Sequence, residues 1–170
     1  ISLAIYLAMG RPIFFHQKRI GLNNKQFTII KFRTMKSENL VEENDSARIT
    51  ALGRLLRITS LDEIPSIINV IKGDMTFVGP RPLLVEYLHL YNDFQIKRHI
   101  VKPGITGWAQ INGRNQISWE EKFKLDIWYV ENKNLILDLK ILFLTVYKVF
   151  KREGINQSDT ITAKRFTGKN

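Results

Sequence analysis

PIFFHQKRIGLNNKQFTIIKFRTM, residues 12–35, decides the fold. Pro12 to Ile20 and Gln26 to Met35 are rich in strand formers, and the cluster Gly21-Leu22-Asn23-Asn24-Lys25 between them is built of turn formers. The reading is a β-hairpin. Side chains alternate along a strand, so Phe27, Ile29, Lys31 and Arg33 share one face of the second arm. Lys31 and Arg33 are thereby placed to approach one anion together. A solvated, charged sheet edge explains the same pair.

Working outward from the hairpin, Ser37 to Ser46 is polar and acidic and reads as an exposed loop or loose helix. Ile49, Leu52, Leu55, Leu56 and Ile58 then recur at helical spacing, with Arg48, Arg54 and Arg57 between them. A second helix is expected from about Leu61 to Ile71, with Ser60 and Glu63 in the pattern of a capping box. Beyond Gly73-Asp74, Met75 to Val78 reads as a short buried strand and Gly79-Pro80-Arg81-Pro82 as a stiff extended loop that fixes where Arg81 points. Tyr87, Leu90, Tyr91 and Phe94 suggest another amphipathic helix, Lys102 to Trp108 a glycine-containing loop, and Trp119, Phe123, Ile127 and Val130 a further helix. Asp126 falls on the apolar side of that last helix and needs a partner. From Leu135 to Phe150 the chain is strongly apolar, apart from a narrow stripe of Asp138, Thr145, Lys148 and Arg152. That pattern suits a core helix or one lying in a membrane interface. The tail from Gly154 is polar.

The chain has 170 residues, 44% of them hydrophobic, which suits one domain. With 26 Lys+Arg against 16 Asp+Glu the net charge is +10, pointing to an anionic partner: nucleic acid, an acidic membrane face or a phosphorylated substrate. Absent cysteines exclude disulfides and thiolate metal sites, and His16, His89 and His99 lack metal-ligand spacing. A spanning helix requires about 20 apolar residues, and no stretch reaches that length. Residues 1–9, ISLAIYLAM, read as the end of a longer apolar helix, with residues 10–170 forming one domain.

Three clusters carry potential chemistry: the adjacent carboxylates Asp62 and Glu63, the arginines Arg57 and Arg81 on either side of them, and Lys31 with Arg33. Together they describe a possible phosphate site. Phosphoryl transfer needs cations on the phosphate oxygens, an in-line nucleophile, and often Mg2+ held jointly by carboxylate and phosphate. One carboxylate can attack phosphorus to form an acyl phosphate while its neighbour helps hold metal.

The ordered segments Lys31 to Met35, Ser60 to Pro65, Asn69 to Met75, Val78 to Pro82 and Lys102 to Gln110 closely resemble the motifs of the bacterial sugar transferases, specifically the small monotopic phosphoglycosyl transferases. The resemblance covers about Gly10 to Gly154. It implies an α/β fold, a compact single domain in which amphipathic interfacial helices surround a small β-hairpin or sheet, with the remnant of a re-entrant membrane helix at the amino terminus. The Ser-Pro break of that re-entrant helix does not occur before Gly10. The implied reaction moves a phosphosugar from a UDP-sugar to polyprenyl (undecaprenyl) phosphate and releases UMP, as the first membrane step of glycoprotein or surface-polysaccharide synthesis. In the implied ping-pong mechanism Asp62 is the nucleophile and carries a covalent phosphosugar, while Glu63 supports Mg2+ with Asp62. Arg81, Arg57 and Lys31 map to the phosphate pocket, joined by Asp126, Arg33 and Arg114. The implied location is the cytoplasmic face of the bacterial inner membrane, against an anionic surface. A basic nucleic-acid-binding domain would share the charge, but no reader motif is present and no nucleic-acid partner is expected.

Overall fold

The computed structural model describes residues 1–36, 48–113, 117–151 and 165–168. The expected loop over 37–46 and most of the polar tail lie outside these residues. Helix α1 (Ser2–Met9) leads into the hairpin of β1 (Phe14–Ile20) and β2 (Gln26–Phe32), which pair from Phe14↔Phe32 to Ile20↔Gln26. The turn is short because Asn23 and Asn24 both take positive φ, a conformation asparagine tolerates better than most residues. Helix α2 (Ala51–Ile58) follows, its first turn closed by the Thr50 side chain accepting from the Gly53 N–H. A side chain at Gly53 would collide with the Thr34 carbonyl, so glycine there lets α2 lie directly on the end of the hairpin.

The expected continuous helix over 61–71 is instead a 3-10 helix, Leu61–Ser66, running into the short α3 (Ile67–Ile71). Pro65 lies inside the first part and has no N–H to continue an α-helical ladder. The capping box expected at Ser60 is absent. Ser60 sits at φ 56 with no side-chain cap, and Glu63 is committed to cations. A capping box does form at Ser118 and Glu121, where it opens the helix Trp119–Asn132 and where the sequence reading placed none.

Strand β3 (Thr76–Val78) pairs in parallel with β4 (Gly104–Thr106), so the loop expected at 102–108 contains a strand. Gly104 approaches the backbone at Val78 and Gly79 too closely for any Cβ. The amphipathic helix expected around Tyr87 to Phe94 divides into two 3-10 segments, Val85–Leu90 and Gln95–Ile100, separated by the extended Tyr91. Helices α4 (Trp108–Asn112), α5 (Trp119–Asn132) and α6 (Leu135–Lys151) complete the described elements.

Among the described residues, two clusters form the core. Val78, Ile111, Tyr129, Leu137 and Ile141 pack where the small parallel sheet meets α4, α5 and α6. Tyr87, Phe123 and the tail residue Phe166 form an aromatic knot flanked by Tyr91 and Trp119. Helix α6 turns its polar stripe partly inward: Asp138 accepts from the Tyr129 hydroxyl at 2.7 Å, and the Thr145 and Thr106 hydroxyls lie 2.7 Å apart. Its opposite face leaves Leu135, Ile136, Leu139, Phe143 and Phe150 exposed. No described helix is long and apolar enough to cross a membrane.

Candidate active site

The outer edge of β2 positions the site. One edge of this strand is satisfied by β1, and the other is met by side chains from the 61–71 segment instead of a third strand. The Asn69 carboxamide accepts from Ile30 N–H at 3.0 Å and donates to the Thr28 carbonyl at 2.8 Å, while the Ser66 hydroxyl donates to the Ile30 carbonyl at 2.8 Å. Both residues are 1% exposed. These bonds hold Asp62 and Glu63 over the hairpin face that carries Lys31.

Glu63 Oε1 then accepts from Lys31 Nζ at 2.7 Å and from Arg81 Nη2 at 2.8 Å, joining β2 to the Pro80-Arg81-Pro82 loop through one oxygen. Arg57, delivered by α2, donates through Nε to the Thr34 hydroxyl at 2.9 Å. Arg19 lines the same recess, with Ile29 and Met75 beneath it. Its guanidinium bonds the Gln17 carboxamide and reaches the Pro82 carbonyl at 3.4 Å. Among the described residues that line this recess, Arg19, Lys31 and Arg81 surround the single carboxylate of Glu63. The surplus positive charge suits an anionic ligand.

The adjacent carboxylates are driven in opposite directions. Burial disfavours the ionised form of Glu63, yet the charges and hydrogen bonds of Arg81 and Lys31 outweigh it and hold the carboxyl at about 2. Asp62 is pushed up, first by burial and then by the Glu63 charge, against a weaker pull from Lys31, Arg81 and Arg57. No hydrogen bond or ion pair among the described residues engages its carboxylate. Burial and then Arg81 push Lys31 down, and the same two causes lower Arg19 to about 10. Glu63 is therefore a fixed anion, and Asp62 is an unengaged one beside a cationic recess.

The structure gathers Lys31, Arg57, Asp62, Glu63 and Arg81, and separates two residues expected with them. Arg33 is buried and directs its guanidinium to the carbonyls of Met9, Gly10 and Arg11, closing the carboxyl end of α1. Asp126 is also buried, and its Oδ2 accepts from Arg98 Nε at 3.1 Å and Nη2 at 2.7 Å, so its carboxylate serves an internal pair. Arg114 lies outside the described residues. Sequence reading missed Arg19 and Arg98. Arg19 was recoverable from hairpin register, because Arg19↔Phe27 and Phe15↔Lys31 pairing puts Arg19 and Lys31 on one face. Arg98 had no comparable local signal.

The family model described as bacterial sugar transferase matches residues 1–152. An uncharacterized sugar transferase of Bacillus subtilis, EpsL, is 58% identical over 96% of this chain and 83% of its own. The UDP-glucose:undecaprenyl-phosphate glucose-1-phosphate transferase of Escherichia coli is 42% identical over 88% of this chain and 35% of its own length. The undecaprenyl-phosphate galactose phosphotransferase of Salmonella typhimurium is 39% identical over 85% and 35%. The chain thus spans most of the Bacillus protein and about a third of the two enteric ones.

Proposed function

The chain belongs to the bacterial sugar transferase family, and on that premise we propose that it transfers a phosphosugar from a UDP-sugar to undecaprenyl phosphate. The observation that carries this reading is the division of labour between neighbours: Glu63 is pinned by Lys31 and Arg81, while Asp62 stays unengaged beside the surplus charge. A nucleophile must be free to move onto phosphorus, whereas its neighbour can spend its charge on organising cations.

In the first step an Asp62 carboxylate oxygen attacks the sugar-proximal phosphorus, the bond to the bridging oxygen breaks, and UMP leaves with that electron pair. The enzyme is left with a phosphosugar on Asp62. A phosphate oxygen of the polyprenyl acceptor then attacks the same phosphorus, Asp62 departs as carboxylate, and polyprenyl diphosphate sugar is formed. Arg81, Lys31 and Arg57 neutralise phosphate oxygens in both steps, with Arg19 at the edge of the recess.

No group of three or more acidic, His or Cys side chains that could hold a metal by itself occurs among the described residues. Mg2+ is commonly held by one or two carboxylates together with substrate phosphates, and Asp62 with the Glu63 oxygen not bound to cations fits that smaller requirement. Bound there, Mg2+ would neutralise pyrophosphate charge. Two relatives are named for different sugars, glucose and galactose, at similar identity, so sugar choice is assigned to neither.

We further place the enzyme at the cytoplasmic face of the bacterial inner membrane, where its lipid acceptor resides. The exposed face of α6, with Lys140 and Lys151, and the exposed Leu3 and Leu7 of α1 support an interfacial seat on anionic lipid. The whole reading is tested by screening UDP-sugars for UMP release with undecaprenyl phosphate in detergent, with Mg2+ and with excess chelator. Metal-dependent release requiring both substrates for multiple turnovers is expected; absence of release with every UDP-sugar would overturn it.

A further inference from the structure

The Arg81 loop is held by its acceptors. Proline at positions 80 and 82 removes two N–H donors, and four successive carbonyls are each met by a different donor. Pro80 O accepts from Gly104 N–H at 3.0 Å, Arg81 O from Arg98 Nη2 at 2.7 Å, Pro82 O from Arg19 Nη1 at 3.4 Å, and Leu83 O from Ile20 N–H at 3.2 Å. The shortest of these comes from Arg98, a side chain only 2% exposed. Its other hydrogen bonds run to Asp126 Oδ2 and its guanidinium lies 5.7 Å over the Phe123 ring, so it is fixed by α5 before it reaches the loop.

We propose that Arg98, anchored by Asp126, is a positioning residue that fixes the Arg81 backbone and thereby sets where the Arg81 guanidinium meets Glu63 and the substrate phosphate. The inference rests on the transfer reaction proposed above. Neither Arg98 nor Asp126 is among the described residues that line the recess: Arg98 acts through the carbonyl of Arg81, and Asp126 acts through Arg98. A guanidinium is suited to this task because separate nitrogens can serve the carboxylate while one of them also serves the carbonyl. Lysine could keep the charge opposite Asp126 but offers one nitrogen on a shorter reach. An alternative is that Arg98 and Asp126 only hold α5 against the 95–100 segment.

These roles separate in a double-mutant cycle. UMP-release kinetics, UDP affinity by calorimetry and melting temperature are measured for Arg98→Lys, Arg81→Ala and the combined variant. With Arg81 present, Arg98→Lys is expected to lower kcat/KM about tenfold, a modest share of what a misplaced phosphate contact can cost, and to weaken UDP binding. With Arg81 already removed, it is expected to change either quantity less than twofold. Equal losses in both backgrounds, or a silent Arg98→Lys in the first, would overturn the proposal. Should Arg98→Lys fail to fold, Asp126→Asn, which keeps size and weakens the anchor, is expected to give the same dependence on Arg81. The UDP measurement keeps the two readings distinguishable: a protein that binds UDP but transfers nothing contradicts the transfer reaction, while the affinity cycle still decides the positioning role.

Discussion

Glu63 and Asp126 are both acids paired with arginine, and Arg81 connects them: its side chain bonds Glu63 and its carbonyl accepts from Arg98, the partner of Asp126. At Asp126 one cation meets one carboxylate in a buried setting, and the shared charge is spent internally. At Glu63, among the described residues, three cations line a recess with one carboxylate, and a second carboxylate beside it is unengaged. Acidity and burial alone do not separate a reaction site from a structural pair. The surplus of unneutralised cations does.

The largest effect expected from breaking this contrast is on activity at the recess. Arg81→Ala should lower kcat by about a hundredfold, the order expected when a donor to developing charge is removed, and should harm folding less than turnover because the Arg81 side chain is half exposed and Lys31 stays on Glu63. Steady-state kinetics beside a thermal melt checks both halves. At the other site the balance reverses: Asp126→Ala leaves Arg98 charged, buried and short of its partner, and should destabilise the fold by about 3–5 kcal/mol in urea titration. A loss below 1 kcal/mol would remove the structural half of the contrast.

A smaller effect lies in the acid response. Glu63, held at about 2 against an ordinary 4.5, has its folded-state pKa depressed, so its contribution to stability is complete above 4.5 and is lost as pH falls toward 2. Asp62 is raised above 3.8 and has the opposite sign: protonation relieves a penalty, so the fold gains as pH falls through its folded-state value. The acid limb of kcat/KM should therefore lie above 3.8, where Glu63 is still ionised. A limb at about 2 would assign the essential carboxylate to Glu63.

The hairpin was legible because alternating apolar residues and an Asn-Asn turn are local signals, and the same locality made α2, α5 and α6 readable. Asp62, Glu63, Lys31 and Arg81 were legible as a set through ordered motifs. Strand β4 was not, since its parallel partner lies about thirty residues away and glycine and proline dominate its flanks. The need of Asp126 for a partner was visible from its apolar helix face, but the partner was not. Arg98 stands 28 residues away in a 3-10 segment whose periodicity says little about direction. Arg33 shares a strand face with Lys31 and still goes elsewhere, because the end of α1 offers it three carbonyls.

In the proposed reaction Asp62, and not its pinned neighbour, forms the covalent intermediate. Incubating the protein with UDP-sugar and Mg2+ without lipid acceptor, then measuring intact mass and mapping the modified peptide, tests it most directly. One equivalent of UMP released and one phosphosugar retained on Asp62 are expected, with Asp62→Asn giving neither. A phosphosugar on Glu63 or any other residue, or an undiminished adduct in Asp62→Asn, would contradict it.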